Sequence, residues 1–303
     1  NPAVVKTDEK YHMLFRAIGN DWISRLGLAI SDDGDSFTPA DTAVLEPSNK
    51  WESNGCEDPR ITKIDGTYWV SYTAFDGKTA RAALTSTPDF ITWGERRLLF
   101  PDLSQQQREN LPGAWSKAAA LFDERINNKY MLLYGDSRIW PAYSDDLLSW
   151  VPSDTPLISA RDGYFDAAHV EMGPPPIKTD HGWLVLYHGI DEFSENRTYG
   201  LGAVLLDMND PLKILWRTNK AILTPTEKYE TVGLIDIVSG GFSTLKNMTP
   251  RKLLELAAQK RLPKAIFCCG AVLEDNGILR LFYGASDTVI CTAQIDLESL
   301  FAS

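Results

Sequence analysis

A hairpin pattern that recurs five times limits the folds open to this chain of 303 residues. Each copy has an apolar strand, a polar turn with Gly, Asn or Asp, and an aromatic-rich strand, which is typical of antiparallel strands joined by a tight turn. The copies span residues 6–15, 64–72, 125–134, 180–187 and 275–283. Strands of small residues that end in Ser-Asp or a related turn follow the hairpins, at 26–37, 82–90 and 141–150, with weaker copies at 202–207 and 291–297.

Repeated units of a few short strands are the sequence form of a β-propeller, in which the innermost strands converge on one axis. Tandem β-sandwiches would show similar periods, but five units in 303 residues fit one closed ring better. We therefore predict an all-β fold, a five-bladed β-propeller that forms a single catalytic domain over residues 1–303.

Two segments interrupt the pattern. Thr249 can cap a helix, Pro250 suits its first turn and Pro263 ends it, so we predict a helical insertion near residues 249–262. It is a candidate pocket rim, or a subunit contact of a homo-oligomer. Residues 101–112 are rich in Gln and charge, and we expect a loop or short helix there.

Composition excludes several classes of protein. The net charge of -11 leaves no basic surplus for nucleic acid. No apolar run approaches the roughly 20 residues of a membrane span. The four cysteines form no CxxC pair and the four histidines add no ligand spacing, so we predict buried thiols and no metal site.

The start of the chain bears on location. The sequence opens on Asn1-Pro2, without an initiator Met or a signal peptide. We expect residues upstream of Asn1, and a cytoplasmic location.

Polar residues that break the strand pattern lie at corresponding places in the repeats. Glu57, Asp58 and Arg60 stand together before the second hairpin, where an ion pair that pins a turn would explain them. The others are Arg16, Arg25, Arg81, Lys117, Glu171, His188 and Asp287. Each taken singly is more readily a solvated loop charge, but rotation about one axis would gather them around a central funnel. Such a funnel would hold one to three carboxylates and several cations.

This mixture suggests a substrate with both hydroxyls and an anion. Carboxylates accept hydrogen bonds from sugar hydroxyls and can act as general acids, whereas clustered Arg, Lys and His bind phosphate. An inverting hydrolase needs two carboxyl groups. If phosphate replaces water as the nucleophile, one acid and a cationic pocket suffice.

The motifs also carry a resemblance. They are Asn1-Pro2, residues 15–17, 24–29 and 57–66, the Gly-Pro-Pro segment 173–179, 182–184, 187–189, and 283–288. In this order, over nearly the whole length, the chain resembles glycoside hydrolase family 130, the mannoside phosphorylases and related mannosidases. The resemblance implies a five-bladed propeller and cleavage of β-mannosidic bonds with inversion.

Site residues follow from the same resemblance. Asp58 would be the general acid, with its proton passing through a hydroxyl of the bound mannose. Residues assigned to substrate binding are Asn1, Arg16, Arg25, Glu57, Glu171 and Asp287. Residues assigned to phosphate are Arg81, Lys117, His188, Arg60 and Tyr187, although Arg60 could instead simply orient Asp58.

The sequence thus predicts an inverting β-mannoside phosphorylase that yields α-mannose 1-phosphate, with inorganic phosphate as co-substrate and no cofactor. One alternative is an inverting β-mannosidase, because hydrolytic members of the family carry a glutamate before the Gly-Pro-Pro segment, where Glu171 stands. Another is a non-catalytic propeller that binds glycans or proteins.

Overall fold

The computed structural model describes residues 1–7, 10–102, 116–192, 198–231 and 264–301. The helix predicted near residues 249–262 lies outside these ranges, as do residues 103–112 of the predicted loop. No helix among the described residues is long and apolar enough to cross a membrane.

The described strands fall into five antiparallel units, here called blades 1 to 5 in chain order. Blade 1 contains β1 (Pro2–Thr7), β2 (Lys10–Ile18), β3 (Ser24–Ser31) and β4 (Thr38–Leu45). Blade 2 contains β5 (Gly55–Ile64), β6 (Thr67–Phe75), β7 (Ala80–Thr87) and β8 (Arg97–Leu98). Blade 3 contains β9 (Ala120–Leu121), β10 (Tyr130–Tyr134), β11 (Arg138–Ser144), β12 (Val151–Pro152) and β13 (Ile158–Ser159).

The last two blades follow the same order. Blade 4 contains β14 (His169–Met172), β15 (Ile177–Thr179), β16 (Gly182–Ile190), β17 (Thr198–Leu206) and β18 (Ile214–Arg217). Blade 5 contains β19 (Lys264–Leu273), β20 (Ile278–Ala285) and β21 (Val289–Asp296). Within the described ranges, a 3-10 turn spans Lys50–Glu52, and the two short helices are α1 (Lys228–Thr231) and α2 (Leu297–Phe301).

A side-chain turn repeats at the end of the third strand of the first three blades. The carboxylate of Asp33 accepts hydrogen bonds from two backbone N–H groups further along the chain, both at 2.8 Å. Asp89 and Asp146 make the equivalent pairs of contacts. Asp favours such turns because its side chain can take the place of a backbone acceptor, which explains the recurring motif.

Apolar clusters between neighbouring blades close the ring. Leu84 of blade 2 packs with Leu132 of blade 3, and similar clusters join blades 1 and 2, 3 and 4, and 4 and 5. Val4 of blade 1 shares a cluster with Val272 and Phe282 of blade 5. Five blades with a cluster at every junction form a five-bladed β-propeller, so the predicted fold class is confirmed.

Polar contacts also seal the junction between the first and last blades. Glu274 after β19 accepts from Lys6 Nζ at 2.6 Å and from the Tyr11 hydroxyl. Arg280 lies 2.7 Å from Asp35. These pairs join residues far apart in the chain, and they fasten the two ends of the ring.

The segment from Gly55 to Arg60 differs from the sequence interpretation, which put its charges in a loop before a strand. The segment lies inside β5, and the loop assignment is wrong. Glu57 pairs with Thr73 and Arg60 with Ser71, so the strand holds one extra residue in a β-bulge. A bulge accommodates Pro59, which has no N–H to donate to the ladder.

Candidate active site

The carboxylate of Asp58 is held by two side chains of blade 1. Its Oδ1 accepts from Asn1 Nδ2 at 2.7 Å and from Arg16 at 3.3 Å. The bulge gives Asp58 a φ of 46°, a left-handed conformation that is rare outside glycine. Its side chain thereby meets residues of the neighbouring blade.

Glu57 joins the same network. Its Oε1 accepts from Ser24 Oγ at 2.8 Å and lies 3.6 Å from the Arg16 guanidinium. Arg16 therefore bridges two adjacent carboxylates, of which Asp58 is buried and Glu57 partly buried.

The pKa values of Asp58 and Glu57 shift in opposite directions. Burial opposes the charge of Asp58, but Arg16 and the Asn1 amide outweigh it and lower the pKa of Asp58. Burial raises the pKa of Glu57, and the neighbouring Asp58 charge adds to the rise despite Arg16. Asp58 therefore loses its proton more readily than Glu57.

Asp287 completes this group, which we call the Asp58 cluster: Asn1, Arg16, Glu57, Asp58 and Asp287. It lies in the turn after β20 with a φ of 53°. Burial works against the charge of Arg16, yet Glu57, Asp58 and Asp287 together raise its pKa. The turn thus brings a residue of blade 5 to residues of blades 1 and 2.

Lys117 is the centre of a second group, the Lys117 cluster: Lys117, Asp136, His169 and Glu171. The ammonium lies 2.7 Å from Glu171 and 3.4 Å from Asp136, and His169 Nε2 is 3.1 Å from Asp136. Burial opposes the charge of Lys117, but Glu171 and Asp136 raise its pKa well above the usual value. Burial likewise opposes the charge of Glu171, whereas Lys117 and His169 lower its pKa. The charge of Lys117 also lowers the pKa of Asp58, so the two clusters lie within electrostatic range of each other.

Three members of the Lys117 cluster could in principle hold a metal. The ligand atoms of Asp136, His169 and Glu171 all lie within 4.8 Å of one another. The ammonium of Lys117 already offsets their negative charge at contact distance. The cluster therefore needs no metal ion to balance its negative charge. The absence of a metal site stays a prediction.

His188 is fully buried and stacks on Phe267, with ring centroids 4.2 Å apart. Its Nε2 accepts from the backbone N–H of Cys268 at 2.8 Å, so the proton resides on Nδ1. Nδ1 has no hydrogen-bond partner within the described ranges. Burial lowers the pKa of His188 to about 3, so this side chain is a neutral donor at physiological pH.

The Arg60 side chain hydrogen-bonds to the backbone. Its guanidinium donates to the carbonyls of Gly173 and Met172, each at 2.6 Å, and to that of Asp58 at 3.0 Å. It ties the bulge of β5 to the end of β14 in blade 4.

Three other predicted site residues contact neither cluster. Arg81 lies 2.8 Å from Asp76, and Arg25 lies 2.7 Å from Asp21. The Tyr187 hydroxyl donates to Asp166. The roles assigned to these three stay predictions.

Comparison with models of known protein families identifies the family of this chain. Residues 1–241 match the glycoside hydrolase family 130 model, which is described as beta-1,4-mannooligosaccharide phosphorylase. The chain belongs to glycoside hydrolase family 130.

Individual members of glycoside hydrolase family 130 align along the whole chain. A 1,2-beta-oligomannan phosphorylase from Thermoanaerobacter sp. is 33% identical, over 99% of this chain and 90% of the relative. A solved structure of a beta-1,2-mannobiose phosphorylase from Listeria innocua, in complex with beta-1,2-mannobiose, superposes with a TM-score of 0.76 at 25% identity, over 99% of this chain and 90% of that one. The description of another solved structure concerns glycoside hydrolases of the family that target beta-1,2 mannosidic linkages in Candida mannan. It superposes with a TM-score of 0.79 at 26% identity, over 98% of this chain and 84% of that one.

Sequence reasoning about this family 130 member missed Asp136 and His169. Asp136 comes two residues after Tyr134, close to the place where His188 follows Tyr187 in blade 4. Comparing the ends of the hairpins residue by residue would have found it. His169 had no such signal, because it lies on the short strand β14.

Proposed function

We propose that this protein is an inverting β-mannoside phosphorylase that acts on β-1,2-linked mannosides. Membership of the family and the mannoside phosphorylases among its relatives support the activity. The linkage is proposed from the relatives, since the three reported above all concern β-1,2 bonds.

Asp58 is the proposed general acid, and its contacts carry the proposal. It is a buried carboxylate held by Asn1 and Arg16 and reached by the charge of Lys117. A phosphate oxygen attacks the anomeric carbon from the face opposite the leaving oxygen, and the carbon–oxygen bond breaks. Asp58 supplies the proton for the leaving sugar through a mannose hydroxyl, and the β-mannoside becomes α-mannose 1-phosphate.

The acid must be protonated when it acts, whereas Arg16 and Asn1 favour its ionised form in the free protein. A phosphate anion in the funnel adds negative charge nearby, and the sugar excludes water. Both effects raise the pKa of a carboxyl group. The acid form of Asp58 therefore develops in the ternary complex.

His188 and Lys117 are the proposed core of the phosphate site. The first offers an N–H without a described partner, and the second offers a partly buried ammonium. An N–H donor and a cation suit a phosphate oxygen. Because the Lys117 ammonium is already paired with Glu171, an incoming phosphate competes with Glu171 for Lys117.

Hydrolysis is the second candidate, favoured by the solved relative whose description concerns hydrolases and by the burial of Glu171. In that mechanism Glu171 would activate water. The pKa of Glu171 is lowered by Lys117, which makes it a weak base at neutral pH. We therefore place phosphorolysis first.

Phosphate dependence tests the proposal. The enzyme is incubated with β-1,2-mannobiose with and without inorganic phosphate, and released mannose is measured. Release that requires phosphate is expected, and no other cofactor should be needed. Equal release in both reactions would rule out phosphorolysis.

A further inference from the structure

Three blades carry the same buried contact between a tyrosine and a carboxylate. The pairs are Tyr72–Glu52 at 2.6 Å, Tyr187–Asp166 at 2.6 Å and Tyr283–Glu230 at 2.7 Å. Burial, together with the nearby carboxylate, raises the pKa of each tyrosine. Each hydroxyl therefore keeps its proton and donates a hydrogen bond to the carboxylate.

The three tyrosines occupy equivalent places in their blades, on the long strands β6, β16 and β20. Glu52 and Asp166 each lie just before the first strand of the same blade, and Glu230 lies in α1. The acids are at most 3% exposed. Each contact thus fastens a segment outside the sheet to a long strand of the blade.

The acids have further partners that fix them in place. Glu52 accepts from Arg96 at 2.8 Å and from the backbone N–H of Ser48 at 2.9 Å. Asp166 lies 3.0 Å from Arg161. Glu230 accepts from the backbone N–H of Thr226 at 2.7 Å. These contacts make each acid a fixed anchor rather than a mobile surface charge.

The tyrosine pairs also lie beside different parts of the proposed site. Tyr72 faces the bulge that carries Asp58, because its neighbours on β6 pair on either side of the extra residue. Tyr187 directly precedes His188 on β16. The third pair reaches the turn that carries Asp287, where the Ser286 hydroxyl donates to the backbone carbonyl of Glu230 at 2.7 Å.

We propose that the three pairs are positioning contacts with separate tasks. Glu52–Tyr72 holds Asp58 for proton transfer, Asp166–Tyr187 holds His188 for phosphate, and Glu230–Tyr283 holds Asp287 for the mannosyl unit. The inference rests on the proposed function and extends it to residues outside the funnel. It also gives Tyr187 a supporting role in place of direct contact with phosphate.

The remaining blades supply a control. Blade 1 has Phe15 at the equivalent place, and blade 3 has Tyr134. Tyr134 is buried against Phe100 and Trp140, and its hydroxyl makes no hydrogen bond to a carboxylate within the described residues. Tyr134→Phe therefore removes a hydroxyl at a matched position without breaking such a pair.

Steady-state kinetics of four Tyr→Phe variants test the separate tasks, with kcat and both KM values measured for each. A misplaced catalytic group costs on the order of tenfold or more. Tyr72→Phe should lower kcat about tenfold and change each KM less than about twofold. Tyr187→Phe should raise KM for phosphate about tenfold, and Tyr283→Phe should do so for the mannoside. Tyr134→Phe should leave all three values within about twofold.

Carboxamide variants separate positioning from direct contact. If Tyr187 acts through Asp166, Asp166→Asn raises KM for phosphate as Tyr187→Phe does. If Tyr187 touches phosphate itself, Asp166→Asn leaves that KM unchanged and the positioning role is refuted. Glu52→Gln and Glu230→Gln serve the same purpose for the other pairs, and also replace any Tyr→Phe variant that does not fold. A pair whose two variants both fail to fold is a folding contact, contrary to the proposal.

The outcomes distinguish this inference from the proposed function. If the wild type requires phosphate but the three variants match Tyr134→Phe, or all change the same constants, the positioning role is wrong and phosphorolysis stands. If the wild type ignores phosphate, phosphorolysis fails. The expected effects of Tyr72→Phe on kcat and of Tyr283→Phe on KM for the mannoside can still be measured.

Discussion

Asp58 acts from a backbone conformation that few residues adopt. A non-glycine residue with positive φ costs on the order of 1 kcal/mol or more, so the surroundings must hold it there. Arg60 donates to the Asp58 carbonyl, and Asn1 and Arg16 fix the carboxylate. Backbone and side chain of the proposed acid are therefore positioned separately.

Asp58→Asn is expected to lower kcat/KM by at least about 10³-fold, because an amide cannot supply the proton. Asn tolerates positive φ, so the bulge should persist and the unfolding temperature should change little. Activity assays and thermal unfolding check both points. Asp32→Asn, at a side chain that is 84% exposed, is the matched control and should retain full activity. Full turnover by Asp58→Asn would refute the acid role.

Glu171→Gln distinguishes the two candidate mechanisms by the direction of its effect. In phosphorolysis, removing this charge leaves Lys117 freer to bind an anion, so KM for phosphate should fall by about three- to tenfold, as expected for one charge-assisted contact. In hydrolysis the same change removes the base and abolishes turnover. Initial rates across a phosphate series give the answer.

The Asp58 motif could be found from sequence, whereas several partners could not. The sequence places Glu57, Asp58 and Arg60 together but does not show that Arg60 donates to the carbonyls of Met172 and Gly173. Backbone acceptors leave no trace in residue type. Contacts of this kind depend on how blades 2 and 4 face each other across the ring.

At the scale of strands, β16 and β19 meet through a neutral histidine. His188 Nε2 accepts from Cys268 N–H, and the ring stacks on Phe267. Both contacts fix the imidazole between two blades. Protonating Nε2 would break the hydrogen bond and place a charge in a buried site.

The depressed pKa of His188 predicts a stability that depends on pH. The unfolded chain takes up this proton near pH 6.5, but the folded protein does so only near pH 3. The unfolded state binds more protons between these values, so the stability is present above pH 6.5 and is lost as pH falls toward 3. Urea unfolding between pH 7 and 5 should show the loss for the wild type and a flatter profile for His188→Gln. Parallel profiles would refute the neutral histidine.

The long strands could be predicted from the sequence, whereas the short strands could not. Apolar and β-branched residues on either side of Asp65-Gly66 predicted the hairpin of β5 and β6 that the structure contains. Strands β8 and β12 have two residues each, too few to show a period. The bulge at Asp58 was missed because Pro59 suggested a loop, whereas it occupies a position where the ladder needs no donor.

At the scale of the molecule, closing the ring brings Glu274 to Lys6 and Arg280. The Glu274 side chain is only 11% exposed, and its removal breaks the contacts with Lys6 and the Tyr11 hydroxyl, whereas Arg280 keeps its contact with Asp35. Glu274→Ala should lower the free energy of unfolding by about 1–3 kcal/mol, as for a hydrogen bond to a charged group. Activity should change little.

Chemical denaturation of Glu274→Ala checks the junction. Asp145→Ala is the control, because the Lys129–Asp145 pair is exposed and should contribute less than about 1 kcal/mol. Equal losses in the two variants would contradict a special role for the junction. The ring itself followed from counting hairpins, but its closing contacts join residues up to 268 positions apart and have no local signal.

The configuration and phosphate content of the first sugar product test the central claim most directly. The wild type is mixed with β-1,2-mannobiose and phosphate in an NMR tube, and proton and phosphorus spectra are followed from the first turnovers. The proposal predicts α-mannose 1-phosphate in equal amount with released mannose. Free mannose without the phosphate ester, or the β-phosphate, would contradict it.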